Sequence, residues 1–310
     1  MSGLVSFIIN RILLMFPVAL GVATITFALM YLLPGDPASA MLAKSGASAE
    51  QIAALRRDMG LDQPFHVQYL YYIGNILEGD LGRSIVSQEP VLSLLLSRLP
   101  VTLELVIAAL VLAIPIGAWL GIAAAVNKGR WSDRAVILFS ALGVSTPSFW
   151  LALMAVMIFS VSLGWLPAFG SGGYRHLVLP AAVMAVGAIG TVARTARTSM
   201  LEVLSQDYIR TAWAKGLGRS AVLYRHALRN ALIPIVTIIG LQFGWLVSGS
   251  VIIESVFSRQ GIGQLLIASI IERDFPVVQG AVLMSAVLYV VLNLLVDIVY
   301  ALVDPRIRYD

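Results

Sequence analysis

Cysteine is absent from the 310 residues, which excludes disulfides, thiolate metal sites and cysteine nucleophiles within this chain. Charge is scarce as well: 12% of residues are charged and 59% are hydrophobic, against roughly 25% and 45–50% in a soluble domain. Mean hydropathy is +0.88, so the composition is that of an integral membrane protein. Histidine occurs only as His66, His176 and His226, each apart from other candidate ligands, which gives no ligand set for a metal. There is no GxxxxGK[ST] loop to cradle nucleotide phosphates, no HExxH pair and no GxSxG elbow. The apolar runs also hold no embedded pair of charged residues of the kind that marks proton or sodium coupling. Glu104, Glu254 and Asp297 lie near the ends of such runs, where local pairing or snorkelling is expected. An enzyme therefore has no constellation to stand on.

What the sequence has is length of apolar run. Six stretches suit helices crossing a bilayer, at about 20 residues per span: 8–33, 102–126, 135–163, 177–193, 231–253 and 275–296. The fourth is expected to continue as helix beyond the membrane. The length of the first, with no small-x-small site before the LPGDP turn, argues against a cleaved signal peptide. Lys and Arg fix the orientation. One side receives Arg11, the 128–134 loop, the 194–229 segment, Arg306 and Arg308, together 13 of the 21 basic residues. Five of the other eight fall in one long segment, where the positive-inside rule is weak. Both termini are thus expected in the cytoplasm, with an all-α fold.

After the first span, which Pro34 and Pro37 end, residues 34–98 form an ordered external segment. Ser48 and Gln51 have the spacing of a capping box for a helix over 49–59, and Gly60, Pro64, Gly79 and Gly82 supply turns. The aromatics Phe65, Tyr69, Tyr71 and Tyr72 read as a small core or an interfacial belt, with a docking surface as the alternative. Expected organisation is an N-terminal span (1–33), this external segment (34–98), a permeating core (99–304) containing a cytoplasmic loop (200–232), and a tail (305–310).

The cytoplasmic loop is the most patterned polar stretch. From Gln206 to Pro234 it reads as two short helices. Asp207 is placed to cap the first, which runs to Lys215 and stops at Gly216 and Gly218; Ser220 is placed to cap the second, to Asn230. Ile209, Ala212 and Trp213 make an apolar stripe beside Arg210 and Lys215. Such a stripe either rests on anionic lipid or fills a groove on a protein partner, and the glycine stop with its second helix favours docking. Small and polar residues inside spans, namely Ser145, Thr146, Pro147 and Ser148 in the third and Gln242, Ser248, Gly249 and Ser250 in the fifth, serve either close helix packing or the lining of a pathway with a proline-broken helix.

These residues resemble the membrane subunit of type I ATP-binding-cassette importers, in the dipeptide and oligopeptide permease group, which also includes nickel, glutathione, opine and oligosaccharide members. In the group's cytoplasmic "EAA" loop, Arg210, Thr211 and Ala212 take the EAA positions, Gly216 the glycine, and Leu232 and Pro234 the ending. Tyr208 to Leu217 and the RHALRNALIP run ending at Pro234 match the peptide-permease form, in which arginine replaces the glutamate. LPGDPA, MGLDQP, GDLGRS, RLPVTLEL, TPSFW, GWLPAFG, FSRQGIGQLL, RDFPVVQG and NLLVDIVYALVDPRIR extend the resemblance in order along nearly the whole chain.

The resemblance implies an inner-membrane permease that forms one pathway with a second, usually non-identical permease subunit. It also implies two ATPase subunits that bind ATP and Mg, and an extracytoplasmic binding protein that delivers solute. No cofactor, metal, nucleic acid or catalytic residue is implied in this chain. Asp207, Tyr208, Arg210, Thr211, Ala212, Lys215, Gly216 and Leu217 would form the ATPase-coupling set; Ser145, Thr146, Ser148, Gln242 and Ser248 are the pathway candidates. A secondary transporter or channel acting without an ATPase is the alternative. Which solute is carried does not follow from the sequence.

Overall fold

A computed structural model describes residues 13–14, 16–28, 39, 48–58 and 60–303. The LPGDP turn, Arg11, the 305–310 tail and the Asp297 side chain, each given a place above, lie outside what is described.

The described residues form helices and loops, with one isolated bridge between Arg83 and Pro90 and no strand. In chain order the helices are α1 (Phe16–Ala28), α2 (Ala49–Asp58), α3 (Phe65–Glu78), α4 (Val91–Val126), α5 (Trp131–Ser145), α6 (Ser148–Ala155, continued by a π-wound stretch, Val156–Ser162) and α7 (Tyr174–Leu204). Then come α8 (Asp207–Ala214), α9 (Ala221–Val256, π-wound over Ala221–Ala227), α10 (Ile262–Glu272) and α11 (Phe275–Val303). Among the described residues, four helices are long and apolar enough to cross a membrane: α4, α7, α9 and α11. A fifth span results if α5 and α6 are taken as one broken crossing. The described part of α1 is shorter than a span.

Glycine sets how these helices pack. Lipid tails are as apolar as leucine, so spanning helices gain little by hiding apolar surface and associate through close van der Waals contact. A Cβ at Gly121 of α4 would lie 2.3 Å from the carbonyl oxygen of Ala193 on α7, and one at Gly117 would lie 2.8 Å from the Cβ of Val192. On the other side of α7, a Cβ at Gly190 would meet the Ser140 carbonyl of α5 at 2.9 Å. Gly117, Gly121 and Gly190, none of them among the small residues named from the sequence, are therefore what let α4, α5 and α7 touch so closely. Around this centre Leu105, Val106, Ala109, Ala113, Ala185, Ala188, Leu246 and Ile253 close the largest apolar core.

Two expected spans are corrected. The second starts well before residue 102: α4 is 36 residues long and carries Pro100 and Pro115 within it. The third is not one straight helix, because α5 and α6 meet at 102°. Thr146 precedes Pro147 and is held extended (φ −81°, ψ 127°), as clash with the proline ring demands, so the helix ends there. The fourth behaves as expected, continuing to Leu204.

The described part of the segment between α1 and α4 is tied down at several points. Ser48 and Gln51 form the expected capping box: the Ser48 N–H donates to Gln51 Oε1 at 2.8 Å and the Gln51 N–H to Ser48 Oγ at 3.3 Å. Phe27 of α1 packs against the rings of Phe65, Tyr69 and Tyr72 with centroids 5.1, 5.4 and 5.4 Å away. The Tyr69 and Tyr72 hydroxyls hydrogen-bond Thr24 and Thr26. Three of the four aromatics thus cover Phe27 of α1, which is 2% exposed, although Phe65 itself remains exposed, as does Tyr71. Farther along, buried Asp274 accepts from Ser84 Oγ and from the N–H groups of Ile85 and Val86, which joins the GDLGRS loop to the RDFP turn.

Candidate coupling surface and membrane cavity

The loop after α7 builds a presented helix. α8 is only eight residues long, well below the length at which an isolated helix is stable in water. Tertiary contact must therefore hold it. Ile209 and Ala212, 1% and 5% exposed, pack with Met200 of α7, Ala125 of α4 and Val222, Ala227 and Ala231 of α9. This corrects one expectation: two residues of the apolar stripe seat the helix on its own protein, leaving only Trp213 of the stripe exposed. Two caps are corrected as well. Asp207 is the first helical residue, behind Gln206, and makes no cap hydrogen bond; its carboxylate instead lies 3.4 Å from the Arg210 guanidinium. Ser220 makes no side-chain cap either, and the helix it was expected to start runs unbroken through Pro234 to the end of α9.

The stop at Gly216 is as the sequence suggests. Its φ is +74°, the left-handed region glycine tolerates. The Gly216 N–H donates to the Trp213 carbonyl and the Leu217 N–H to that of Ala212, closing the helix end. The result is an outward face of Tyr208, Arg210, Thr211, Trp213, Lys215 and Leu217, all exposed. Asn230 Nδ2 donates to the Tyr208 hydroxyl at 2.7 Å, tying that face to α9. So of the eight coupling candidates, seven lie on or end the exposed helix and Ala212 lies beneath it.

The second feature is at the α5–α6 break. Ser145, Thr146 and Ser148 line a cavity of about 210 Å³ with Val183, Met184 and Gly187 of α7 and Trp245 and Gly249 of α9. Proline has no N–H, so the Gly143 carbonyl lacks its helical partner at this wall. The other two pathway candidates are not brought here. Gln242 is buried in α9 with its Oε1 unpartnered. Ser248 turns to another face, lining an apolar crevice of about 470 Å³ between α1, α9, α10 and α11.

Family comparison fits this architecture. Residues 113–309 match the model of the "binding-protein-dependent transport system inner membrane component" family, and residues 4–106 match that family's N-terminal module. The chain belongs to this family. It is a multi-pass permease of the inner membrane. The chain is 44% identical over 306 residues to the glutathione transport system permease of Salmonella choleraesuis, covering 99% of this permease and 100% of that one. It is 46% identical over 311 residues to a putative peptide transport system permease of Brucella abortus, covering 98% and 99%. The inward-facing methionine transporter MetNI has the same fold, with TM-score 0.59 at 20% identity over 68% of this permease and 96% of that chain. An amino acid ABC transporter crystallised with histidines aligns with TM-score 0.52 at 16% identity, over 69% and 94%.

Three polar ties in the permease were not foreseen. Asp133 is buried and takes a bidentate pair from Arg197, at 2.5 and 3.0 Å, plus the Gly129 N–H at 2.9 Å. Glu104 pairs with the wholly buried Arg259 at 2.8 Å, a long-range contact where local pairing was expected. Glu254 is wholly buried and accepts from the N–H groups of Gly263 and Gln264 at the start of α10. That leaves no room for a side chain at Gly261, whose Cβ would sit 2.4 Å from the Glu254 carboxylate. The signal for this last tie was present in the sequence, as the GIG run just beyond the glutamate.

Proposed function

We propose that this permease forms half of the membrane path of an ATP-driven importer for peptides or similarly small solutes. α1, α4, the broken α5–α6 pair, α7, α9 and α11 make six crossings in this reading, and both termini are cytoplasmic. The distribution of Lys and Arg supports it, since the hairpin after α4, the C-terminal part of α7 and the stretch from α8 into the start of α9 hold most of the basic residues. The other half is a second, similar permease subunit, and a binding protein delivers solute from outside.

ATP and Mg are bound by two separate ATPase subunits, onto which the exposed face of α8 docks. The observation that carries the reading is the eight-residue helix clamped from below by Ile209 and Ala212, ended by left-handed Gly216, and presenting Tyr208, Arg210, Trp213, Lys215 and Leu217 outward. A helix held this firmly transmits displacement to α4, α7 and α9, which it touches, as a loose loop does not. The cavity beside Ser145, Thr146 and Ser148 is the proposed station on the path. The names of the full-length relatives, glutathione and peptide permeases, support the solute class.

The test is reconstitution of the complex in liposomes with its ATPases and binding protein. Uptake of a short peptide or glutathione is expected to need ATP inside and to persist when ion gradients are collapsed. Uptake by this permease alone, driven by an ion gradient, would establish a secondary transporter instead.

A further inference from the structure

The hairpin between α4 and α5, NKGRWSDR over residues 127–134, is not used by the coupling helix or the cavity. Three cations and an indole stand on its surface: Lys128, Arg130, Arg134 and Trp131, the last 81% exposed. The one acid in the hairpin offsets them only weakly, through a long-range attraction to Lys128. Asp133 is turned inward, where Arg197 and the Gly129 N–H occupy its carboxylate. Among the described residues, none of the three hairpin cations has an ion-pair partner.

The helix that follows shows what lies next to this surface. α5 packs inward through Asp133, Ser140 and Gly143, the last two against α7. On the opposite stripe, at helical spacing from Trp131, stand Leu138 and Leu142, 61% and 57% exposed. The indole and the Arg134 guanidinium therefore cap the cytoplasmic end of an outward apolar stripe, on the side the basic residues mark as inside. An amphipathic ring at headgroup level, with cations around it and hydrocarbon-facing leucines below, is a combination that suits the edge of a charged leaflet. Long Lys and Arg stems reach a phosphodiester while their alkyl parts stay along the apolar surface.

We propose that Lys128, Arg130, Arg134 and Trp131 form a binding site for the headgroup of an anionic phospholipid in the cytoplasmic leaflet. The cations hold the phosphodiester and the indole lies beside the glycerol and upper acyl region. Because the Asp133–Arg197 pair ties the hairpin to α7, the lipid anchors the end of the helix pair against which α8 is built.

The experiment uses the complex assembled with its ATPases in nanodiscs, and the fluorescence lost between the wild type and Trp131→Phe isolates one indole among six. Quenching of that component by brominated phosphatidylglycerol is compared with quenching by brominated phosphatidylcholine at equal mole fraction. The expected result is a preference for the anionic lipid of roughly fivefold or more, abolished in Lys128→Gln/Arg130→Gln/Arg134→Gln. Equal quenching by the two lipids in the wild type would overturn the headgroup site. Quenching that appears only when the ATPases are removed would also overturn it, by showing that a protein covers the surface. Should the triple variant fail to assemble, raised ionic strength serves instead; a preference unaffected by salt counts against the proposal.

Discussion

Replacing Ile209 with alanine should release α8 from its seat while leaving the rest of the permease folded. Ile209 is 1% exposed and its neighbours Met200, Ala212, Val222 and Ala227 are themselves buried, so the site cannot readily collapse around a smaller side chain. Core truncations of this kind cost about 2–5 kcal/mol, the sum of lost transfer energy and a residual cavity. An eight-residue helix has no stability of its own to absorb that loss. Taking about 3 kcal/mol, the population of the opened loop rises on the order of a hundredfold. Hydrogen exchange followed by mass spectrometry on the permease in nanodiscs reads this directly. Amides of residues 209–217 should exchange about that much faster, those in the middle of α4 and α7 at the original rate. Trp213→Ala, which removes an exposed side chain from the same helix, should change exchange little. Unchanged protection in Ile209→Ala would refute the argument that the inward half of the stripe holds the helix.

Three further outcomes follow from other contacts. Asp133→Ala strands the Arg197 guanidinium, which is 21% exposed, and should lower stability by about 3 kcal/mol; a thermal-unfolding cycle with Arg197→Met should recover much of it, and additive losses would show that the pair is not coupled. Gly121→Ala places a Cβ 2.3 Å from the Ala193 carbonyl oxygen, so α4 and α7 must separate; a cost of about 3 kcal/mol or more is expected in denaturation, and a neutral result would remove the close-approach account. Trp245→Ala opens the cavity that Ser145, Thr146 and Ser148 share; uptake should change in KM or in solute preference with ATP hydrolysis retained, whereas unaltered selectivity would assign that cavity to packing.

The sequence carried the local devices well and the long-range ones poorly. Ser48 with Gln51, the Gly216 stop and the continuation of α7 past Ala193 are written in adjacent residues, and each stands in the structure. The stripe of Ile209, Ala212 and Trp213 was visible as a period, but a period does not say what lies opposite. Only α4, α7 and α9 folding beneath it show that Ile209 and Ala212 face home. The break at Thr146 rests on one proline, and proline is tolerated inside α4, α7 and α9 at Pro100, Pro115, Pro180 and Pro234. Residue type alone thus could not separate a bend from a straight span. Asp133 with Arg197 and Glu104 with Arg259 are separated by 64 and 155 positions, so their pairing appears only when the helices are assembled.

In the proposed mechanism the outward face of α8 meets an ATPase. The chain has no cysteine, so Trp213→Cys or Leu217→Cys gives a single attachment point for a short photoactivatable cross-linker. In the assembled complex, illumination should yield an adduct between this permease and an ATPase subunit, and none from the exposed position Tyr71→Cys, which the proposed topology puts on the opposite side of the membrane. A probe on 213 or 217 that labels only lipid or solvent, in a complex with active ATPases, would show that α8 does not dock there.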